Sequence, residues 1–172
     1  MKTYSKQELD KIIDNHKLWL QSGGEKGERA DLRYANLRYA DLRYANLRYA
    51  NLRYADLRSA DLRYADLRYA DLSSADLSSA DLSSADLRYA DLRSADLDFS
   101  AFPLWCGGLD VNIDDKQATQ LLYHLLRNVK YSKNTSAKLK RLCKIKSLVK
   151  QANEFHRVDE CGRIEEGAKN ER

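Results

Sequence analysis

A strict five-residue repeat constrains this chain more than any other feature. Alanine recurs at every fifth position from Ala30 to Ala95 and leucine from Leu32 to Leu97, giving fourteen consecutive copies of A-(D/N)-L-x-x. In an α-helix five residues advance about 500°, so successive leucines would rotate by about 140° and form no apolar stripe. In a flat strand an odd period would turn every second leucine to the opposite face. The repeat therefore excludes both regular elements.

Both conflicts disappear if each repeat contains one corner. Alanine and leucine then point to the same side of a short extended segment, and the chain winds into a coil with both residues inside. The Asp or Asn between them points outward and tolerates turn conformations. The sequence thus predicts an all-β solenoid core, whose number of sides the period alone leaves open. The predicted core residues are Ala30, Ala65, Leu32, Leu37, Leu42, Leu47, Leu52, Leu57, Leu62, Leu67, Leu72, Leu77, Leu82, Leu87, Leu92 and Leu97.

The tandem A-(D/N)-L-x-x copies resemble the repeats of the pentapeptide-repeat family. The segment "FPLWCGG" that follows them is similar to one in some bacterial and phage members, and the regularity of the copies is typical of consensus-like arrays. The resemblance implies a right-handed quadrilateral β-helix with four repeats in each coil. The array would then form about 3.5–4 coils, stacked about 4.8 Å apart. We place this solenoid at residues 25–105.

Residues 1–24 are predicted to form an N-terminal capping helix. The S-x-x-E motif at residues 5–8 matches a capping box, and the Gly-Gly pair at 23–24 ends the helical pattern. The apolar face between them consists of Leu9, Ile12, Ile13, His16 and Trp19 or Leu20. One apolar face beside a solenoid terminus indicates a cover for the open coil. We interpret His16 as a packed core residue and not as a ligand.

Past Leu97 the repeat fades, although Phe102 still falls at a leucine phase. Phe102, Leu104 and Trp105 are predicted to fill the end of the last coil. Residues 106–156 are predicted to form a hairpin of two helices, and residues 157–172 a disordered tail. The apolar arc expected on the second helix consists of Leu139, Leu142, Ile145, Leu148, Val149 and Ala152.

The largest charge signal lies in residues 116–150, which hold ten Lys/Arg and no acidic residue. Six of these bases are predicted to lie on the second helix, namely Lys138, Lys140, Arg141, Lys144, Lys146 and Lys150. They would suit nucleic acid or another polyanion. The alternative, which we favour, is a solvated face on a hairpin whose apolar arc packs on the rod or mediates homodimerisation.

The Arg-Tyr pairs of the repeats form a second candidate surface. With twenty residues per coil, Arg48, Arg68 and Arg88 would stack in one column, and Tyr49, Tyr69 and Tyr89 in the next. Arginine and tyrosine together could stack on bases. However, each arginine follows an Asp or Asn by two residues, which favours a self-neutralising ladder of ion pairs and cation–π contacts. Three Ser-Ser repeats at residues 70–84 interrupt the other sides as a waist of small side chains.

Signals for chemistry are poor. The sequence has no Gly-rich phosphate loop, no nucleophile elbow and no paired histidines, so we expect neither an enzyme nor a bound cofactor or metal. Cys106, Cys143 and Cys161 are odd in number and scattered, as expected of free thiols in a reducing cytoplasm. No run of 18 apolar residues is present, and we expect no membrane partner.

These features favour a noncatalytic solenoid that presents a surface to other macromolecules, most simply a protein. One alternative is a nucleic-acid-associated protein that binds through its basic C-terminal helix. Another comes from the family resemblance, since some members protect type II topoisomerases from quinolones by resembling DNA. That alternative is disfavoured here, because residues 30–99 carry ten basic and twelve acidic residues and are almost neutral.

Overall fold

A computed structural model describes residues 1–103, 110–154 and 163–164. The chain divides into two compact units, Met1–Asp114 and Asp115–Arg172. Among the described residues, no helix has both the length and the hydropathy that crossing a bilayer requires.

The repeats of the first unit are joined by parallel pairing between residues twenty positions apart. Asp31 pairs with Asn51, and the same spacing continues through Asp81 and Ala101. In each layer the leucine N–H donates to the next layer, as from Leu32 to the Asn51 carbonyl at 2.8 Å. Four pentapeptides therefore separate each of these residues from its pairing partner.

Regular strands are rare in this unit, in contrast to the predicted all-β core. Within the described residues the strands are β1 (Lys2–Thr3) and β2 (Ala35–Asn36), which pair in parallel, and every other pairing is an isolated bridge. The reason is the length of each side. The chain turns again after about three extended residues, so a ladder forms across layers without any long strand along one layer.

Each corner is a four-residue turn with one backbone hydrogen bond. The Leu32 carbonyl accepts from the Ala35 N–H at 3.1 Å, and the same bond recurs along the repeats. The fifth residue of all fourteen repeats has a positive φ, between 55° at Ser59 and 63° at Ser84. A positive φ at the third turn residue alone is the signature of a type II turn. These corners are built without glycine.

The interior is filled by the invariant alanines and leucines. All fourteen predicted leucines are at most 5% exposed, and Ala30 and Ala65 are equally buried. Large and small side chains alternate along each side, which lets a narrow interior fill without clash. The residues that point outward are polar or aromatic.

Helix α1 (Lys6–Gln21) packs on the first coil. Its capping box is present, with Ser5 Oγ accepting from the Glu8 N–H at 3.3 Å and the Glu8 carboxylate accepting from the Ser5 N–H at 2.8 Å. Leu9 lies in the same apolar core as the repeats, and Ile12 and Ile13 pack against it. The Gly24 N–H bonds the Trp19 carbonyl at 2.9 Å, where the helix ends.

His16 is fully buried and supplies the hydrogen-bond acceptor that a preceding repeat would otherwise provide. Each repeat alanine donates its N–H to the leucine carbonyl of the repeat before it, but Ala30 opens the array and has no such repeat. Its N–H instead donates to His16 Nδ1 at 3.1 Å. The neutral ring that accepts this bond also stacks on Trp19, with 5.7 Å between centroids. His16 is thus a structural residue at the entrance of the array.

The first unit continues beyond the predicted end of the solenoid. Phe102 packs against the leucine core, and Val111 and Ile113 do so further along. Asn112 donates to the Ala90 carbonyl and accepts from the Leu92 N–H, so Val-Asn-Ile acts as a degenerate A-N-L repeat. The predicted boundary between residues 105 and 106 is therefore wrong for residues 110–114. Leu104 and Trp105, predicted to fill this end, lie outside the described residues.

The second unit contains α2 (Asp115–Tyr131), α3 (Ala137–Lys140), a 3₁₀ turn (Arg141–Lys144) and α4 (Lys146–Ala152). The prediction of one continuous second helix is wrong, because Ile145 is extended at φ −81° and ψ 101° and separates α4 from the 3₁₀ turn. The small core of this unit consists of Tyr123, Leu126, Cys143, Val149, Ala152 and Ile164.

Two further predictions for the second unit need correction. Leu139, Leu142 and Ile145, assigned to the apolar arc, are 50%, 37% and 44% exposed and lie outside the small core of this unit. Ile164, placed in the disordered tail, is buried and exchanges two hydrogen bonds with the Asn153 side chain, at 2.9 and 3.0 Å. The predicted tail is thus wrong at this residue, and most of the tail lies outside the described residues.

Enlarging an inward alanine should destabilise the first unit. In Ala65→Leu three extra carbons enter a filled interior, and we expect a loss of about 1–3 kcal/mol or more in the free energy of unfolding. Ser59→Tyr is the matched control, because it adds more bulk outward at a position where other repeats carry tyrosine. Denaturant unfolding of both variants is the measurement. Equal stability of Ala65→Leu and Ser59→Tyr would contradict the packed interior.

Replacing His16 should change how stability depends on pH. Burial lowers the pKa of His16, opposed by the Arg48 backbone and assisted by the charge of Arg29. Below its ordinary pKa of about 6.5 the unfolded chain binds more protons than the folded one, so acidification destabilises the fold from there downward. His16→Asn keeps an acceptor for the Ala30 N–H but does not titrate. We therefore expect its unfolding curves to lack this fall in stability.

A second variant separates the proton from the hydrogen bond. His16→Ala leaves the buried Ala30 N–H without an acceptor and should cost about 1–3 kcal/mol at every pH. A His16→Asn protein that loses stability on acidification as steeply as the wild type would show that other groups cause the loss.

Candidate interaction surface

One side of the array keeps Arg-Tyr in every described layer. We call it the arginine–tyrosine face and define it as residues 46–49, 66–69 and 86–89. Pairing of Asn46 with Asp66 and of Asp66 with Asp86 places these segments one above another. On the other sides, Ser-Ser repeats or Ser59 interrupt the tyrosine columns. The arginine–tyrosine face is therefore the most regular outer surface of the first unit.

The tyrosines of this face stack on one another. Ring centroids are 4.9 Å apart between Tyr49 and Tyr69 and 4.8 Å apart between Tyr69 and Tyr89, with interplanar angles of 12° and 19°. The layer spacing imposes this distance, since equivalent residues repeat once per coil. Both faces of the Tyr69 ring are thus occupied, and no space is left for a nucleic-acid base to stack between the tyrosines. The ring edges and hydroxyl groups remain for a partner.

Carboxylates hold two of the three arginines of the face, Arg68 and Arg88. Arg68 donates Nε to Asp66 Oδ1 at 2.8 Å and Nη2 to Asp66 Oδ2 at 2.6 Å, and its Nε lies 3.6 Å from Asp86 in the next layer. Arg88 binds Asp86 in the same two-pronged way. The side-chain hydrogen bond from Arg88 holds the pKa of Asp86 below its ordinary value. The charges of Arg68 and Arg88 are thereby neutralised within and between layers.

The choice of Asp or Asn at the second repeat position decides where the arginine lies. Three repeats carry Asn, and in each of them the arginine makes a cation–π contact with the tyrosine of the same repeat. The guanidinium carbons lie 5.4 Å from the ring centroid for Arg38 and Tyr39, 5.5 Å for Arg48 and Tyr49, and 5.4 Å for Arg53 and Tyr54. Among the described repeats these are the only such contacts. An amide oxygen still accepts the arginine backbone N–H but lacks the charge that attracts the guanidinium.

Sequence reasoning missed this effect, although its signal was present at Asn36, Asn46 and Asn51. The same substitutions divide the charge of the array. Residues 30–54 carry five arginines and two aspartates, a net charge of +3, and residues 55–99 carry five arginines and ten aspartates, a net charge of −5. An array with a basic beginning differs from the uniformly acidic surface that DNA mimicry would require.

The Ser-Ser waist forms a second distinct outer region. Ser78 Oγ donates to Asp76 Oδ1 at 2.6 Å, and the other two repeats repeat this bond. Each waist aspartate lacks an arginine in its own repeat and takes one from the preceding layer, as Asp76 does from Arg58 at 3.4 Å. The waist is thus polar and narrow, with its carboxylates partly compensated.

The predicted polyanion patch lies entirely in the second unit. Lys138, Arg141, Lys144, Lys146 and Lys150 are exposed, and Lys140 is half-buried. Because the second helix is broken, these bases are divided among α3, the 3₁₀ turn and α4. The patch is therefore a set of short segments and not one helix face.

The thiol of Cys143 lies beneath this patch and is held in the core of the second unit. Its Sγ donates to the Leu126 carbonyl at 3.4 Å, and burial raises its pKa, which disfavours the reactive thiolate. Cys106 and Cys161 lie outside the described residues.

Exchanging Asn and Asp should move arginines between ring and carboxylate. Arg48 Nε is buried without an acceptor, at 4.0 Å from Asp66. In Asn46→Asp we expect it to gain the two-pronged bond that Arg68 makes, so that its Nε–H exchanges more slowly with solvent. Asp66→Asn is the reverse variant and should speed exchange at Arg68. The measurement is NMR of arginine Nε–H groups, with Arg93 as an unchanged reference.

The outcome that contradicts this assignment is simple to recognise. If Arg48 Nε–H exchange is the same in Asn46→Asp as in the wild type, the second repeat position does not control the arginine.

The repeats match a known family profile. The profile described as pentapeptide repeats matches residues 28–63 and 60–98 with eight copies. No curated protein matches the chain. Among solved structures the chain is similar to HetL, a pentapeptide repeat protein involved in heterocyst differentiation regulation from the cyanobacterium Nostoc sp. strain PCC 7120. The identity is 34% over 49% of this chain and 43% of HetL, with a TM-score of 0.26.

Two other pentapeptide repeat proteins show similar identity. Rfr23 from the cyanobacterium Cyanothece 51142 is 31% identical over 54% of this chain and 65% of its own, with a TM-score of 0.32. A protein of the Arabidopsis thaliana thylakoid lumen is 28% identical over 63% of this chain and 77% of its own, with a TM-score of 0.35. This chain spans less than two thirds of the length of HetL and of Rfr23. Residues 28–98 are therefore pentapeptide repeats, the repeats that define the pentapeptide-repeat family.

Proposed function

We propose that this chain is a noncatalytic, cytoplasmic scaffold that binds a protein partner along the arginine–tyrosine face. In this proposal the repeats form a right-handed quadrilateral β-helix, and α1 caps its first coil. One observation carries the proposal. The invariant residues of the repeats fill the interior, and a single side retains the same outward pair in all three of its described layers.

The chemistry of that side suits a protein partner. Tyrosine edges and hydroxyls combine apolar area with hydrogen bonding, and tyrosine and arginine are enriched among the residues that dominate protein–protein binding. Tyr49, Tyr69 and Tyr89 are 37%, 45% and 55% exposed. Their stacking fixes the rings before a partner arrives, so little conformational entropy would be lost on binding.

The N-terminal elements favour binding along the sides of the array. Strand β1 pairs with β2, and His16 satisfies the first alanine N–H. Covered edges disfavour end-to-end association with other sheets. A partner would therefore meet the outward columns more readily than the N-terminal edge.

The basic second unit supports a second candidate, binding to a nucleic acid. Residues 115–154 carry ten Lys/Arg against Asp115 and Glu154, a net charge of +8. Such a charge density attracts phosphates. It also opposes homodimerisation through the same surface, since two copies would repel each other.

Site-specific photo-crosslinking in the host cell tests both candidates at once. The photoreactive residue p-benzoylphenylalanine replaces Tyr69, Ser59 or Lys144 in separate full-length variants. Ser59 is the matched control, because it is exposed and shares the positive φ of Tyr69 on another side. The scaffold proposal expects a discrete protein adduct from Tyr69 and none from Ser59. Nucleic-acid binding expects a nuclease-sensitive adduct from Lys144.

A partner identified from the Tyr69 adduct is then purified. Its affinity should fall by more than about tenfold when Arg48, Arg68 and Arg88 are all changed to Gln. Equal protein adducts from Tyr69 and Ser59, or none from Tyr69, would reject the scaffold surface proposed here.

A further inference from the structure

The segment 138–146 carries a three-residue pattern whose aliphatic part neither candidate function uses. It reads Lys-Leu-Lys, Arg-Leu-Cys, Lys-Ile-Lys, so that a base and an aliphatic residue recur together at every third position. The segment runs through α3 and the 3₁₀ turn to the extended Ile145. Residues three apart are neighbours in an α-helix and eclipse one another in a 3₁₀-helix. A spacing of three therefore aligns like residues in rows.

Two of the rows point outward. The apolar row is Leu139, Leu142 and Ile145, and its members are 50%, 37% and 44% exposed. The neighbouring basic row is Lys138, Arg141 and Lys144, and all three are exposed.

The third row anchors the segment. Its central member, Cys143, is buried in the core of the second unit and donates to the Leu126 carbonyl at 3.4 Å. Because Cys143 faces inward, the other two rows are held toward solvent together. The result is an aliphatic ridge with a bordering line of cations.

The apolar row and the basic row together determine which kind of partner fits this segment. A second copy is disfavoured, because the unit carries +8 over residues 115–154 and would meet the same charge. A nucleic acid would pair with the basic row but would leave the aliphatic ridge in water. The surface of an anionic lipid bilayer satisfies both rows, with aliphatic side chains at the acyl boundary and cations at the phosphates.

We propose that segment 138–146 is a peripheral docking site for membranes rich in anionic phospholipid. Leu139, Leu142 and Ile145 enter the boundary between headgroups and acyl chains, and Lys138, Arg141 and Lys144 bind the lipid phosphates. Peripheral binding of this kind needs no membrane-spanning run. The expectation of no membrane partner rested on the absence of such a run, so this proposal revises it.

Cosedimentation with vesicles tests the site in the full-length chain. One set of vesicles is phosphatidylcholine alone, and in the other about a third of the lipid is phosphatidylglycerol. We expect binding to the second set only. The triple variant Lys138→Gln, Arg141→Gln, Lys144→Gln should bind about a hundredfold more weakly. The triple variant Leu139→Ser, Leu142→Ser, Ile145→Ser should bind more than about tenfold more weakly, although it keeps every charge.

A matched control removes the same charge elsewhere. Arg33→Gln, Arg43→Gln and Arg93→Gln together take three exposed arginines from the repeats and should leave vesicle binding unchanged. Thermal unfolding followed by circular dichroism shows that each variant is folded, as expected for changes at exposed positions.

Three outcomes would overturn the proposal. The first is equal binding to neutral and anionic vesicles. The second is full vesicle binding by the serine variant, and a parallel anisotropy titration with duplex DNA would then show whether the basic row serves nucleic acid. The third is a dimer in analytical ultracentrifugation that the serine changes dissociate, which would identify a second copy as the occupant of the ridge. None of these outcomes bears on the arginine–tyrosine face.

Discussion

The four-residue turn that recurs every five residues is the constraint on which the rest of the first unit depends. A leucine carbonyl accepts a hydrogen bond from the alanine N–H three residues later, and the third residue of this turn has a left-handed φ. That conformation costs a residue with a β-carbon about 1–2 kcal/mol, and the array adopts it fourteen times without glycine. The cost is offset only when successive coils stack, because stacking completes the hydrogen-bond ladders and buries the leucines. Single repeats therefore have no stable structure of their own, and the array forms cooperatively.

Stacking every twentieth residue places like side chains over like at one layer spacing. Tyrosines gain from this arrangement, because their rings stack at 4.8 to 5.0 Å. Columns of aspartates or arginines alone would repel at that spacing. Placing arginine two residues after aspartate resolves the conflict, since each carboxylate then meets its own guanidinium and often one from the neighbouring layer. The outer surface is thus a set of neutralised ladders of ion pairs. A repeat with Asn in place of Asp, or with Ser in place of Arg, changes the local balance of charge.

The sequence predicts the coil well because its period permits so few alternatives. Leucine and alanine phases suffice to identify the interior, and the S-x-x-E motif suffices for the start of α1. Contacts between layers were harder to foresee. Ring stacking and the pairing of Arg68 with both Asp66 and Asp86 depend on the layer spacing, which no single repeat contains. The Val-Asn-Ile segment escaped notice because Asn112 pairs 21 residues after Asp91, so one extra residue shifts the phase.

The second unit was predicted less well for a different reason. An apolar arc at spacings of three and four fits a continuous helix and a helix broken at Ile145 equally, and propensity does not distinguish them. The break turns Leu139 and Leu142 outward and leaves Val149 and Ala152 to form the core. The two units therefore hold their surface groups differently. In the repeats, almost every arginine meets a carboxylate or a ring. In residues 115–154 of the second unit, ten basic residues stand against two acidic ones. A charge excess of this size speeds association with a partner of opposite charge, whereas neutralised ladders of ion pairs add little long-range attraction.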